Sequence, residues 1–125
     1  MSEKSLHKAV CTYLKYQYPS ILFNTELSGV RVSRGIARQL PSLRSQNGFP
    51  DIAIYEPRGQ YHGLFIELKR EGENLYKKNG EPVSPHVAEQ MDCLVDLRMR
   101  GYKAEFCIGF ESAKELIDTY LKGTL

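Results

Sequence analysis

The sequence has no hydrophobic run long enough to cross a membrane. No apolar stretch approaches the roughly 20 residues of a transmembrane helix, and the start, Met-Ser-Glu-Lys, is not that of a signal peptide. The chain has 125 residues, 42% of them hydrophobic, which predicts one globular domain, residues 1–125, with a modest core. We therefore expect a protein without membrane association.

Cysteine is sparse, with only Cys11, Cys93 and Cys107. Their number is odd, and no two of them have the Cys-x-x-Cys spacing of zinc and redox sites. Each cysteine lies in a periodic apolar segment, which predicts buried free thiols in a reducing, cytoplasmic environment. This pattern argues strongly against structural zinc.

Acidic residues are missing from the segment 29–47. The net charge of the whole chain is only +2, too small to indicate nucleic-acid binding by itself. The segment, however, contains four arginines and no other charged residue, so it carries +4 and the rest of the chain is slightly acidic. Such a concentration suits contact with phosphates, although a solvated basic face is the alternative. The arginines are Arg31, Arg34, Arg38 and Arg44, and the spacing of the first three is that of one helix face.

Two predicted strands follow the basic segment. They cover residues 51–55 and 64–69, and the turn between them contains Pro57, Gly59 and Gly63. The period of two along a strand places the side chains of the second strand on opposite faces in turn. Leu64, Ile66 and Leu68 therefore share one face, and Phe65, Glu67 and Lys69 share the other.

Three charged side chains of these strands form a candidate site. Glu67 and Lys69 point the same way, about 7 Å apart, and Asp51 comes beside Glu67 if the two strands pair antiparallel. Two carboxylates beside an ammonium suit a divalent cation of the Mg²⁺ type, which holds a scissile phosphate and an attacking water. The lysine would orient or help deprotonate that water. The alternative is an exposed aspartate at a strand start and an ordinary Glu/Lys pair.

The first predicted helix, residues 2–18, directs one acid toward the core. Glu3 lies on the same helical line as the apolar residues, and an unpaired buried charge is costly. Glu3 is therefore a candidate third carboxylate, the alternative being a frayed first turn where the helix dipole favours an acid. Glu26, between the strand candidate Ile21–Asn24 and the basic segment, competes for the role. Lys4, Lys8 and Lys15 are expected to face water.

A later helix presents a polar side chain near its buried face. Ser84 as N-cap and Pro85 at the first position predict its start, and Gly101 its end. Gln90 borders the apolar stripe on the inward side, where it needs a hydrogen-bond partner. The carboxylate–lysine cluster or its water would provide one, and a backbone group is the alternative. The predicted stripe consists of Val87, Met91, Leu94 and Val95.

Two further segments complete the chain. The polar loop after Lys69 carries Lys77 and Lys78, which either follow a DNA backbone or are merely solvated. A strand over residues 102–110 precedes a last helix that a capping box at Ser112 is predicted to open. The order of helix, strand, basic segment, strand, strand, helix, strand and helix predicts an α/β sheet with helices on its faces.

Several motifs together resemble a known nuclease family. Pro50-Asp51, fifteen intervening residues and Glu67-Leu68-Lys69 resemble the PD-(D/E)xK superfamily. Gly-x-Pro-Asp, Phe-Ile-Glu-Leu-Lys-Arg, a Ser-Pro-led helix bearing Gln, and Gly-Tyr before the last strand look like its VRR-NUC branch, over residues 3–121. The resemblance implies a restriction-endonuclease-like core, in which helices flank a central mixed sheet.

The resemblance also implies a function. Stand-alone domains of this size, found in phages and bacteria, are similar to Holliday-junction resolvases and act on branched DNA as homodimers, with Mg²⁺ or Mn²⁺. A non-cleaving DNA-binding or accessory module, and a nicking or restriction-like nuclease on linear duplex, are the alternatives. The family often has Gln where this chain has His7, which would make activity more sensitive to pH. By position, Asp51, Glu67 and the Leu68 carbonyl would bind metal, Lys69 would be the catalytic lysine, and Gln90 and Glu3 would complete the site.

Overall fold

Among the residues that the structure describes there are four helices and four strands, in the predicted order, with one short helix inside the basic segment. The computed structural model describes residues 1–26 and 32–123. In chain order, the elements are α1, β1, α2, a short 3₁₀ turn, β2, β3, α3, β4 and α4. Their bounds are α1 Glu3–Gln17, β1 Phe23–Thr25, α2 Arg34–Gln39, the 3₁₀ turn Leu40–Leu43, β2 Ile52–Ile54, β3 Leu64–Lys69, α3 Pro85–Met99, β4 Lys103–Ile108 and α4 Phe110–Leu121.

The four strands form one mixed sheet in the order β1-β2-β3-β4. β1 pairs antiparallel with β2, and β2 antiparallel with β3, whereas β3 and β4 are parallel. The short turn over residues 55–63 permits the antiparallel pair, and the parallel pair has α3 as its crossover. The α/β class and the mixed sheet flanked by helices are therefore confirmed. β3 lies inside the sheet and is paired on both sides.

The core forms where α1 and α4 cover one face of the sheet. Leu64, Ile66 and Leu68 of β3 are buried there, as the period of two predicted. The ends of α1 and α4 are joined by a polar contact, because the hydroxyl groups of Tyr13 and Tyr18 donate to Asp118 Oδ1 at 2.5 and 2.6 Å. α3 packs against β4.

The cysteines are free, as predicted. Cys93 and Cys107 are buried, and burial raises the pKa of each thiol to about 11. Cys11 is half-buried, and its pKa is also raised by desolvation. In the described part of the chain, no helix combines the length and the apolar content needed to cross a membrane.

Two details of the predicted helices are wrong. α4 begins at Phe110 rather than behind a capping box at Ser112, because Gly109, with φ +86°, turns the chain directly from β4 into the helix. The buried stripe of α3 is rotated relative to the prediction: Val95 is 42% exposed, and Gln90 lies within the stripe rather than at its border. The buried residues of α3 are Val87, Gln90, Cys93 and Leu94.

Candidate active site

The β2–β3 pairing brings Asp51 beside Glu67. Ile52 pairs with Ile66, so one further residue along the register sets Asp51 opposite Glu67. The Leu68 backbone N–H donates to Asp51 Oδ2 at 2.8 Å, so the carboxylate continues the hydrogen bonding of the ladder past the end of β2. The antiparallel pairing on which the predicted site depends is thus confirmed.

Glu67 is enclosed, with only 3% of its surface exposed. Desolvation raises its pKa far above the usual range, to about 11, and the hydrogen bond and charge of Asp51 add to the effect. The positive charge of Lys69 lowers this pKa, but by less. Without a bound cation, Glu67 is therefore protonated at neutral pH.

Lys69 is also buried, at 5% exposure, two residues along β3 on the same face as Glu67. Its charge lowers the pKa of both Glu67 and Glu3, which shows that the ammonium lies among these carboxylates. Glu3, in the first turn of α1, has a raised pKa because of desolvation and the nearby Glu73. Glu3 lines the same cleft, but it is exposed rather than buried as predicted, because it lies in the first turn of α1 at the cleft mouth; Glu26 instead forms an ion pair with Arg44 at 2.6 Å.

Glu73 is an acid that the sequence reasoning did not identify. It follows β3 in the polar loop, and its Oε2 is buried with no hydrogen-bond partner among the described residues. A single glutamate in a charged loop has no periodicity that predicts burial. The only sequence signal for its place near the site was its position four residues after Lys69. The loop itself closes into a hairpin, in which Lys77 N–H donates to Glu81 O at 2.7 Å and Val83 N–H to Leu75 O at 2.9 Å.

Gln90 reaches the same cluster from α3. It is 6% exposed, its Nε2 lies 3.2 Å from His86 Nε2, and its Oε1 is buried without a hydrogen-bond partner in the described residues. Its partner is therefore a histidine, which the sequence reasoning did not anticipate. His86 stands four residues before Gln90, and that spacing on one helix face was the available signal.

Gly48 explains how α3 comes so close to the site. Its φ is +88°, and a Cβ there would lie 2.6 Å from the Glu89 carbonyl oxygen and 2.9 Å from the Gln90 nitrogen. Only glycine both adopts this conformation readily and leaves room for the helix backbone. The glycine of the Gly-Phe-Pro-Asp motif therefore sets the distance between Asp51 and the helix that carries Gln90.

These residues line a cleft of about 1100 Å³. Lys4 and Lys8, exposed as predicted, border it from α1, and Arg44 also lines it. His7 also lines it and lies 3.3 Å from Thr25 Oγ1 through its Nε2. Of the other predicted DNA-binding residues, Arg34, Arg38, Lys77 and Lys78 are exposed and do not line the cleft, and Arg31 lies outside the described residues.

The donor atoms of the cleft fit a hard divalent cation. Across residues 1–26 and 32–123, no three His, Cys, Asp or Glu side chains are grouped closely enough to hold a metal unaided. Asp51 and Glu67 provide two carboxylates, and Mg²⁺ usually takes one or two carboxylates and keeps several waters. The buried oxygen atoms of Glu73 and Gln90 that lack partners would accept hydrogen bonds from such waters.

Comparisons with known proteins bear on the fold. No family model and no curated protein match the sequence. A solved structure described as a VRR_NUC domain protein is similar with a TM-score of 0.71 and 22% identity, over 98% of this chain and 90% of that one. Another, described as a VRR_NUC domain, covers 92% of this chain and 97% of its own at 24% identity, but its TM-score of 0.49 carries no weight. The chain therefore has the restriction-endonuclease-like fold of a VRR_NUC domain, as the sequence resemblance predicted.

Proposed function

We propose that this protein is a metal-dependent endonuclease that hydrolyses phosphodiester bonds in DNA. The observation that carries the proposal is the meeting of Asp51, Glu67 and Lys69 at one end of β3, on the floor of a cleft. The lining of that cleft also includes the exposed lysines Lys4 and Lys8. A negatively charged backbone is attracted to these lysines, while the two carboxylates are suited to a cation.

Mg²⁺ or Mn²⁺ is the proposed cofactor. Asp51 and Glu67 would hold it with the Leu68 carbonyl, and its charge would favour the ionised form of Glu67. A bound divalent cation supplies charge for the developing oxyanion and lowers the pKa of a coordinated water.

The chain's own residues do the rest of the work. Leu68 N–H fixes the Asp51 carboxylate, so the acid cannot rotate out of the site. The Lys69 ammonium donates hydrogen bonds to the attacking water or to a phosphate oxygen and offsets the charge that builds up there. Because Glu67 and Lys69 are both buried, their charges act in a medium that screens them less than water does.

Branched DNA is the proposed substrate, cut by a homodimer. A two-fold pair places two identical clefts on two strands of a junction. Contacts to the backbone further from the scissile bond would come from other basic side chains. A cytoplasmic location accompanies this proposal, because three free cysteines suit a reducing compartment. The proposed outer contacts are Arg31, Arg34, Arg38, Lys77 and Lys78.

Cleavage of a set of labelled DNA substrates tests the proposal. Four-way junction, flap, single-stranded and linear duplex DNA would be incubated with wild type, Lys69→Ala or Lys15→Ala, each in Mg²⁺, Mn²⁺ or EDTA. We expect symmetric metal-dependent cuts in the junction, lost by at least 100-fold in Lys69→Ala while binding persists. Lys15→Ala removes the same charge from the exposed side of α1 beyond the cleft, and it should cut like wild type.

Other results of this experiment support the alternatives. Binding without metal-dependent cutting would make the protein a DNA-binding module and would remove the site assignment. Equal cutting of linear duplex and junction would indicate a nicking or restriction-like nuclease. For the homodimer, sedimentation that shows a monomer with full junction-cleaving activity would contradict the two-fold arrangement.

A further inference from the structure

We propose that His86 sets the orientation of the Gln90 side-chain amide, so that Gln90 Oε1 faces the cleft as a hydrogen-bond acceptor. Gln90 then holds the attacking water, and His86 is a positioning residue for that step. The inference rests on the proposed nuclease function and names a residue that the family resemblance does not include. It is carried by one short contact, one buried oxygen without a partner, and one close backbone approach.

The contact between the two side chains has a defined direction. His86 Nε2 and Gln90 Nε2 are 3.2 Å apart. An amide nitrogen donates hydrogen bonds and does not accept them, so the ring nitrogen must be the acceptor. With the amide placed this way, the ring proton of His86 lies on Nδ1; the reversed amide would need the Nε2–H tautomer instead.

The backbone beneath Gln90 is fixed as well. Ser84 Oγ accepts from the Val87 N–H at 3.2 Å and caps the helix one turn earlier. Gly48 lies against the peptide between Glu89 and Gln90, so the helix cannot shift toward β2. With its nitrogen held by His86 and its main chain held by Gly48, Gln90 has its oxygen turned away from His86, and the residue itself lines the cleft.

The chemistry of the remaining oxygen decides what it binds. Gln90 Oε1 is buried and has no hydrogen-bond partner among the described residues, Lys69 included. Leaving such an oxygen unpaired costs about 1–3 kcal/mol, which a hydrogen-bond donor would recover. Phosphate oxygens are acceptors and cannot supply that bond, whereas water can. His86 thereby directs Gln90 toward the nucleophile; the reversed amide would direct an N–H toward the phosphate instead.

Three replacements of His86 test whether the residue at this position must accept a hydrogen bond from Gln90 or donate one. His86→Gln retains an acceptor, His86→Leu has neither function, and His86→Lys can only donate. We expect kcat within about twofold of wild type for His86→Gln and about tenfold lower for His86→Leu, the effect of one hydrogen bond. His86→Lys should lose at least as much kcat even though its added charge lowers KM for DNA.

Controls for this series come from the same chain. In a Gln90→Leu background, none of the three changes should lower kcat further, because the amide they act on is gone. His62→Leu alters an exposed histidine that packs on Tyr102, away from the cleft, and should leave kcat unchanged. A wild-type kcat in His86→Lys, or a full additional loss in the Gln90→Leu background, would overturn the proposal.

A spectroscopic measurement decides the orientation independently of cleavage. In ¹⁵N-labelled protein without metal or DNA, the His86 ring should show the Nδ1–H tautomer, and the Gln90 side-chain N–H protons should exchange slowly. Both signals should be lost in His86→Leu, and slow exchange should return in His86→Gln. An Nε2–H tautomer would overturn the proposal even if the enzyme cuts DNA. The expected tautomer in a protein that cuts nothing would instead remove the nuclease proposal and leave the His86–Gln90 arrangement in place.

Discussion

Glu67 and Lys69 are almost completely buried, although proteins rarely enclose such side chains without a close partner. Burial raises the pKa of Glu67 to about 11, and the acids around Lys69 are themselves crowded, as the raised pKa of Glu3 shows. Each of these burials opposes folding in the metal-free protein. A site of this kind is retained for its chemistry, at the expense of stability.

The mutation Glu67→Gln should separate stability from activity. In EDTA we expect the free energy of unfolding to stay the same or rise by about 1 kcal/mol, because an amide of the same shape replaces an acid whose ionised form is disfavoured. Metal-dependent cleavage should fall by at least 100-fold. Thermal unfolding in EDTA and cleavage of the junction would be measured on the same samples. Glu115→Gln, at an exposed position of α4, is the control; a clear loss of stability specific to Glu67→Gln would contradict the expectation.

The site residues that could be predicted from the sequence are those placed by strand periodicity, and the others are placed by tertiary packing. Asp51, Glu67 and Lys69 were accessible because the period of two and one antiparallel pairing bring them together. Glu73 and His86 were not, because a loop path and a side-chain contact within α3 depend on how the elements pack. Periodicity records which face of an element is buried, but not what a polar side chain meets there.

Among the elements, the bounds of β3 and the start of α3 agree with those predicted from the sequence, whereas the start of α4 does not. Strict alternation gives the bounds of β3, and Ser84-Pro85 combines two local signals at the start of α3. At α4 the local signal, a capping box at Ser112, was overridden by the turn at Gly109, where a Cβ would lie 2.7 Å from the Glu71 side chain. Tertiary packing had the larger effect there.

The approach of Gly48 to α3 predicts an unusually sensitive glycine. Gly48→Ala should cost about 2 kcal/mol or more of unfolding free energy, because it adds a clash with the Glu89 carbonyl to an unfavourable positive φ. It should also reduce cleavage, since α3 carries Gln90. Gly80→Ala is a matched control: its φ is +89° and no atom lies within 4 Å of the added Cβ. Denaturant unfolding of both variants measures the difference, and equal losses would show that the close approach has no cost.

The hydrogen bonds from Tyr13 and Tyr18 of the α1 segment to Asp118 of α4 predict that the stability of the protein falls at acid pH. Desolvation alone would raise the pKa of Asp118, but the hydrogen bonds from Tyr13, Tyr18 and Lys114 outweigh it and lower this pKa below its ordinary 3.8. A lowered pKa in the folded state stabilises the protein above pH 3.8, and this contribution is lost as the pH falls through the folded-state value.

The mutation Asp118→Asn tests the contribution of these hydrogen bonds to stability. At pH 7 we expect a loss of about 1–2 kcal/mol, because the two tyrosines then donate to a neutral oxygen. As the pH falls below 3.8 and through the lowered folded-state pKa, the variant should approach wild type, since the charge that distinguishes them is titrated in wild type. Urea unfolding between pH 2 and 7 measures both effects. A difference that does not change with pH would contradict the argument.

At the scale of the whole molecule, the cleft combines the acids Asp51 and Glu67 with the exposed lysines Lys4 and Lys8. The net charge of +2 does not reveal this arrangement, because it counts all charges of the chain together. The concentration of arginines in the sequence indicated a phosphate-binding segment. It did not indicate that Lys4 and Lys8 of α1 would border the cleft, because the helical period assigned them only to water.

The two lysines that border the cleft, Lys4 and Lys8, predict how salt weakens DNA binding. Replacing Lys4 and Lys8 with glutamine should weaken binding at low salt and reduce the slope of log K against log[salt] by about 2, or about 1 for each phosphate that a lysine no longer neutralises. Lys15 and Lys122, exposed and outside the cleft, provide the control pair. Fluorescence anisotropy across a salt series on wild type and both double variants gives the slopes. The same reduction in both pairs would indicate a general charge effect without a role for the two lysines that border the cleft.

The position of β3 inside the sheet also determines how the protein opens. Its backbone amides are bonded to neighbours on both sides, so they should exchange with deuterated solvent only when the whole domain unfolds. α3, which packs mainly against β4, can detach at a lower free energy. A partly opened molecule would then lose Gln90 while Asp51, Glu67 and Lys69 stay together, so opening would interrupt the reaction without dispersing its acidic centre.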